Sequence, residues 1–444
     1  MKKVITYGTY DLFHEGHYNL LKNAKALGDY LIVGVTSGDF DKNRGKLNVR
    51  DSLMTRIKHV EETGFADEII IEEYFGQKID DIKKYDIDIF TVGSDWKGYF
   101  DYLNEYCEVI YLNRTKGISS TEIRNTNTIK LGCYGVEQVT ARFLEESKYV
   151  SGLNINAVYG ANESDYIDKL IEVYDLKNYE NQQEFYDAID AVYVVVEPKY
   201  QFQVIMEALE HQKHVLVEFP ILVTNEQLQE IIDLAEANNC ILMEALKTAY
   251  TPAFGKLVAL AKSGIIGNIL CIDANFTQIL GKQLAEQIRL VAGGSVNALA
   301  SYPFLAFVKL LGLEYKNIQF FSRNNDEGID LFTKIFISYR NAVATSNVAI
   351  SGKSEGDMII SGDKGYIYIP APWWKTEYFE VRFEDINMNL KYFYKFDGEG
   401  LRYEISEFIQ CIWNNKNSIL LTVEEIRAIT NMINQFKVAN TSIF

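Results

Sequence analysis

Short apolar strands separated by helical periodicity begin at Val4 and, after the polar stretch Asn125-Thr-Asn-Thr128, begin again at Ile129. This restart constrains the chain more than any other feature. Strands joined through helices of that length must pair in parallel, because each helix returns the chain to the same edge of the sheet. The first series reads as Val4–Tyr7, a helix from His17 to about Leu27, Tyr30–Val35, a helix at Ser52–Glu62, Glu68–Ile71, a helix near Gln77–Lys84, Ile87–Val92 and Glu108–Leu112. The second reads as Ile129–Gly132, Leu153–Tyr159, Ala191–Val196, His214–Val217 and Ile241–Glu244, and stops near Thr251-Pro252. Beyond it come longer alternating segments, Phe332–Tyr339, Ala342–Ile350, Asp357–Ile360, Tyr366–Ile369 and Tyr378–Phe383, the pattern of an antiparallel sheet with one covered face. The expected class is α/β: a doubly wound domain over 1–127, a second over 128–250, and an α+β domain with a mostly antiparallel sheet over 251–444.

Composition narrows the partners. A formal net charge of -17 opposes nucleic acid and anionic membrane, so any phosphate site must be a local concentration of positive charge. No stretch approaches the ~18 consecutive apolar residues of a membrane span. The first strand starts within a few residues of Met1, with no long apolar leader, and a cytoplasmic address is expected. Five scattered cysteines, with no C-x-x-C pair, suggest neither a disulfide framework nor a zinc site.

The first strand runs into Gly8-Thr-Tyr-Asp-Leu-Phe-His14-Glu-Gly-His17. A glycine at a strand end lets backbone N–H groups approach an anion, and the following helix N-terminus favours negative charge. Two of the chain's five histidines fall in this one turn, placed to direct imidazole donors at one phosphate. Nucleotidyl transfer needs no protein nucleophile; it needs positioning and stabilisation of charge at the α-phosphate. No third ligand of suitable type lies nearby, so no residue is assigned to a metal. After the strand Glu108–Leu112 comes Arg114-Thr-Lys-Gly-Ile-Ser-Ser-Thr121, which sets a guanidinium, an ammonium, a glycine and hydroxyls at a second helix start, a fitting site for β- and γ-phosphates.

With these two motifs, H-x-G-H and R-T-x-G-I-S-[ST]-T, residues 1 to about 124 resemble the glycerol-3-phosphate cytidylyltransferases. The resemblance implies a Rossmann-like nucleotidyltransferase domain that takes CTP with Mg²⁺ and a polyol phosphate, and makes a CDP-polyol for teichoic-acid-like or capsular polymers. It assigns catalysis to His14, His17, Lys46 and Arg114. It places the nucleotide on Gly8, Thr9, Tyr10, Gly93, Asp95, Trp96, Gly117, Ile118, Ser119 and Thr121, and the substrate on Asp11 and Arg56. Where glycerol-phosphate users carry a second arginine near the end of the helix begun at Ser52, this chain has Gly64, with Lys58 and His59 on the same helix. Glycerol 3-phosphate is the leading acceptor, with ribitol and mannitol phosphates open, and base choice between CTP and ATP rests on pocket shape.

Residues 129–444 resemble the glucose-fructose oxidoreductase and inositol dehydrogenase family, through Ala191–Pro198, Ala208–Glu218, Met243–Leu246, Thr251–Phe254 and Ser263–Gly267. These are mostly packing and turn positions. The chemical ones differ. Tyr134 of Gly132-Cys-Tyr-Gly-Val-Glu137 falls where the dinucleotide turn needs a glycine, with Gly135 as its replacement in a longer turn. Gly160-Ala161 offers no acid or arginine to a ribose, Glu218-Phe219-Pro220 lacks the family's lysine, and Ala298-Leu-Ala-Ser-Tyr302 keeps only a tyrosine. Hydride transfer needs a proton donor or acceptor beside the reacting carbon. The reading is a retained fold without NAD(P), used for assembly into a dimer or tetramer. The alternatives are a bifunctional reductase and cytidylyltransferase, and a nucleotide-binding scaffold without turnover.

Overall fold

The computed structural model describes residues 1–43, 49–113, 128–160, 165–281, 293–394, 396, 398–438 and 442–443, with side chains left aside at 42–43, 165–166, 438 and 442–443. The chain divides into two compact units, Met1–Thr128 and Ile129–Phe444.

In the first unit β1 (Lys3–Gly8), α1 (Glu15–Lys25), β2 (Tyr30–Thr36), α2 (Gly38–Asn43), α3 (Leu53–Glu62), β3 (Glu68–Glu72), α4 (Gln77–Tyr85), β4 (Ile89–Gly93) and β5 (Glu108–Leu112) follow in order. The strands pair in parallel as β3-β2-β1-β4-β5. Both faces are covered, so neighbouring strand residues serve opposite cores. Val4, Leu31 and Val33 pack with Leu21, Ala24 and Val60 on one side. Ile5, Ile32 and Phe90 pack with Ile82 and Leu103 on the other. Each of these Val, Leu, Ile and Phe side chains contributes ~1.5–3 kcal/mol on burial. Local signals fix the helix starts: the Ser52 hydroxyl accepts from Thr55 N at 3.1 Å and caps α3. The strand order reverses between β1 and β4, which opens a crevice at their carboxyl ends. Thr6 pairs with Thr91, so Gly8 and Gly93 emerge level with each other there.

The second unit opens with a parallel sheet of β6 (Ile129–Tyr134), β7 (Leu153–Tyr159), β8 (Lys177–Tyr179), β9 (Ala191–Val194), β10 (His214–Glu218) and β11 (Leu242–Ala245), in the order β11-β10-β9-β6-β7-β8. A second sheet holds β12 (Ile269–Ala274), β13 (Phe276–Thr277), β14 (Asn317–Asn324), β15 (Asp330–Ser338), β16 (Val343–Ala349), β17 (Met358–Gly362), β18 (Tyr366–Ile369), β19 (Tyr378–Arg382), β20 (Leu390–Phe393) and β21 (Ser442–Ile443). It is mostly antiparallel, but β16 pairs in parallel with β12 and β13, as does β14 with β21. The part after residue 250 clusters into one compact unit with the residues from Ile129 onward. Arg402, on the helix Leu401–Asn414, grips Glu146 of the helix Gln138–Ser147 through two hydrogen bonds of 2.7 and 3.0 Å. Asn434, from the helix Val423–Val438, donates to Val223 O at 3.0 Å.

Candidate active site

The loop from β1 to α1 doubles back on itself. Tyr10 and Leu12 take φ of +54° and +48°, conformations that cost an L-residue ~1–3 kcal/mol and persist only where the surroundings enforce them. The Tyr10 ring folds over Gly8, where an added Cβ would meet it at 2.9 Å, so glycine is required by close approach. Tyr10 is 1% exposed, and burial pushes its phenol well above the usual range, keeping it protonated. His14 caps α1 with extended backbone, and its Nδ1 accepts from Gly16 N at 3.0 Å. That bond leaves the proton of a neutral His14 ring on Nε2. His17, one turn on, stacks on His14 with ring centroids 3.9 Å apart and 19° between planes. The edge of Tyr10 and the tilted ring of Phe13 hold His17, each at 5.5 Å. The two imidazoles thus form one stack at the N-terminus of α1.

What enforces this turn is a buried polar network. Arg56, expected to meet substrate phosphate, is 1% exposed and faces inward. Its Nη1 donates to Thr9 O at 2.8 Å and Thr36 O at 2.7 Å, its Nε donates to Asp51 O at 3.1 Å, and Asp41 lies 3.5 Å away. The ends of β1 and β2 both present carbonyls at that point, and a guanidinium with five donors satisfies them together. Asp11, also expected at the substrate, is 3% exposed; its Oδ1 accepts from Arg50 N at 2.8 Å and Asp51 N at 2.9 Å. Thr9, assigned to the nucleotide, bonds Asp41 Oδ1 at 2.9 Å. Asp41 and Asp51 carry no signal in the sequence; only the fold brings them here.

Across the crevice, Gly93 ends β4 with space around it, and Ser94–Trp96 form a single 3-10 turn. Asp95 and Trp96 are exposed there, the indole 45% so, with its ring 5.4 Å from Tyr99 and 5.8 Å from Phe100. Gly64 follows the end of α3 at φ +69° with nothing within 4 Å of its Cβ position. Lys46, Arg114, Gly117, Ile118, Ser119 and Thr121 lie outside the described residues.

Residues 5–126 match the cytidylyltransferase-like family model, and residues 129–246 that of the oxidoreductase family with an NAD-binding Rossmann fold. The glycerol-3-phosphate cytidylyltransferase of Bacillus spizizenii is 55% identical over 124 residues, which are 28% of this chain and 95% of that protein. Through its first unit, the chain belongs to the glycerol-3-phosphate cytidylyltransferase family. It is therefore a nucleotidyltransferase. The trans-1,2-dihydrobenzene-1,2-diol dehydrogenase of Xenopus tropicalis is 24% identical over 335 residues, 72% of this chain and 93% of that one. A 3-ketoreductase from Actinomadura kijaniata, solved with NADP and TDP-benzene, superposes on 72% of the chain and 100% of its own with a TM-score of 0.63 at 18% identity, a likeness of fold. No helix among the described residues is long and apolar enough to cross a membrane.

In this oxidoreductase-like unit the turn after β6 differs from its sequence reading. Gly132 lies inside the strand, where a Cβ would strike the Phe185 ring at 2.6 Å. The turn glycine is Gly135, at φ +80°, where a Cβ would fall 2.0 Å from Val195 O. The strand runs two residues further than its apolar pattern, which moves the dinucleotide frame to Gly135-Val-Glu137-Gln-Val-Thr140. Tyr134 then drops out of the turn, and the second glycine position, where a pyrophosphate approaches the backbone, holds Glu137, the N-cap of the helix. The third holds Thr140, fully buried, whose hydroxyl accepts from Glu137 N at 3.0 Å.

Proposed function

We propose that this protein transfers the cytidylyl group of CTP to a polyol phosphate, with glycerol 3-phosphate the leading acceptor, releasing pyrophosphate. The observation that carries this is the stacked His14–His17 pair, held in a strained turn at the sheet's switch point. An acceptor phosphate oxygen attacks the α-phosphorus while the bond to the pyrophosphate oxygen breaks, and imidazole donors stabilise the charge that develops. Arg114 and Lys46 would neutralise the triphosphate, as the family resemblance implies. Mg²⁺, which the family resemblance implies, would be held largely by triphosphate oxygens. Bound so, it supplies charge neutralisation.

The second unit is read as a fold kept for assembly. A carboxylate at the pyrophosphate position repels the ligand that a dinucleotide site would take, and Phe219 brings no proton to a substrate carbon. Gly160, at φ +70°, adds no group for a ribose.

Pyrophosphate release should be measured with CTP and with ATP against glycerol 3-phosphate and other polyol phosphates. Turnover is expected with CTP and one acceptor, and His17→Ala should abolish it while the melting temperature holds. Silence across the whole panel would sink the reading.

A further inference from the structure

Asp51 stands just ahead of the Ser52 cap, and no part of the reaction described above calls on it. Its contacts are unusual for such a place. Its Oδ2 accepts from Leu12 N at 2.8 Å, its own N–H donates to Asp11 Oδ1 at 2.9 Å, and its carbonyl accepts from Arg56 Nε at 3.1 Å. Asp11 answers by also accepting Arg50 N at 2.8 Å. Two carboxylates 40 residues apart thus exchange backbone bonds, each binding the strand of chain that carries the other.

We propose that Asp51 is a positioning residue for cytidylyl transfer, acting through Leu12 on the two histidines. Leu12 sits at φ +48°, two residues before His14, and a residue held in that region needs an external clamp. The Asp51 carboxylate is that clamp at the Leu12 N–H. If it is lost, Leu12 relaxes toward ordinary φ, and the chain direction into the His14 cap changes with it. Displacing a catalytic group by about 1 Å costs ~10²-fold in rate. Ground-state binding of CTP depends on phosphate contacts spread over both motifs, so it suffers less.

The inference rests on the proposed cytidylyltransferase reading, and the test separates the two. Asp51→Ala in the full chain should lower kcat between ten- and a hundredfold with KM for CTP changed less than threefold. Asp51→Asn, which keeps an acceptor of the same size for Leu12 N, should recover most of that loss. Imidazole resonances from selectively labelled histidine provide a readout free of turnover. The chain has five histidines, and in Asp51→Ala the signals of His14 and His17 should move while those of His211 and His214 stay. A wild-type protein inactive on every substrate would refute the function alone, since the resonances still judge the clamp. Unmoved His14 and His17 signals, wild-type kcat in Asp51→Ala, or equal damage from Ala and Asn would overturn the positioning role.

Discussion

Replacing Arg56 by Met separates two roles that its position in the sequence cannot. The family resemblance sets this guanidinium on substrate phosphate; the structure sets it at 1% exposure under the turn between β1 and α1. Methionine keeps the aliphatic stem of the side chain but ends near the Nε position, and it removes the described hydrogen bonds to Thr9 O, Thr36 O and Asp51 O and the 3.5 Å contact with Asp41. At ~1.5–3 kcal/mol for a bond to a charged group, simple addition gives about 4.5–9 kcal/mol. That sum is too high, because stranded carbonyls regain water and the thioether recovers apolar contact. Removal of one member of a buried ion pair costs ~3–5 kcal/mol, the better figure here. For a unit of this size it corresponds to a fall of about 10–20 °C in unfolding temperature. Hydrogen exchange read by mass spectrometry on the intact chain, along a temperature series, resolves peptides of the first unit from those of the second. The first unit's peptides should lose protection early, and the second unit's should not. Arg56→Met with unchanged protection but a KM for the acceptor raised tenfold would refute the buried clamp and restore the substrate contact.

Other outcomes follow from particular contacts. Gly8→Ala drives a Cβ to within 2.9 Å of the Tyr10 ring, so the ring must shift and with it the edge that holds His17; kcat should fall at least tenfold in the pyrophosphate assay. Glu244 is 2% exposed, and burial raises its carboxyl from 4.5 to about 7, only partly offset by the bond from Ile221 N. A folded-state value above the unfolded one stabilises the protein fully below pH ~4.5, and this contribution is lost as pH rises through about 7. The second unit should therefore melt at a higher temperature at pH 5 than at pH 8, with Glu244 contributing up to about 3 kcal/mol beside the likewise buried and raised Glu218 and Glu404, and Glu244→Gln should make the profile shallower; a variant profile as steep as the wild type's refutes the assignment. NADPH fluorescence should show no saturable binding up to millimolar cofactor, and tight binding would revive a reductase function for the second unit.

The parts of this fold that depend on neighbours in the chain were legible. Val4, Leu31 and Val33 declare a parallel sheet by apolar runs, Ser52 declares the start of α3, and the two histidines flank a glycine at a strand end. What escaped depends on distant backbone. Arg56 is buried because carbonyls 47 and 20 residues away converge on it, and no local pattern reports that. Asp11 looks like any polar loop residue until Arg50 and Asp51 arrive. Gly132 resembles a turn glycine in the sequence, although β6 continues to Tyr134 and the positive φ falls at Gly135. Asn317–Asn324 alternates too weakly to announce an eight-residue strand, and alternation alone does not reveal that β12 and β16 run the same way.

Because Arg56 and Asp41 meet out of water, dissolved ions reach them poorly. Screening over ~8 Å at physiological ionic strength acts on exposed charges and leaves buried pairs nearly untouched. The excess of 17 negative charges, by contrast, repels an approaching triphosphate across solvent, where salt intervenes. Ionic strength should therefore govern how often nucleotide arrives at this protein, and leave unaltered the posture of the turn that receives it.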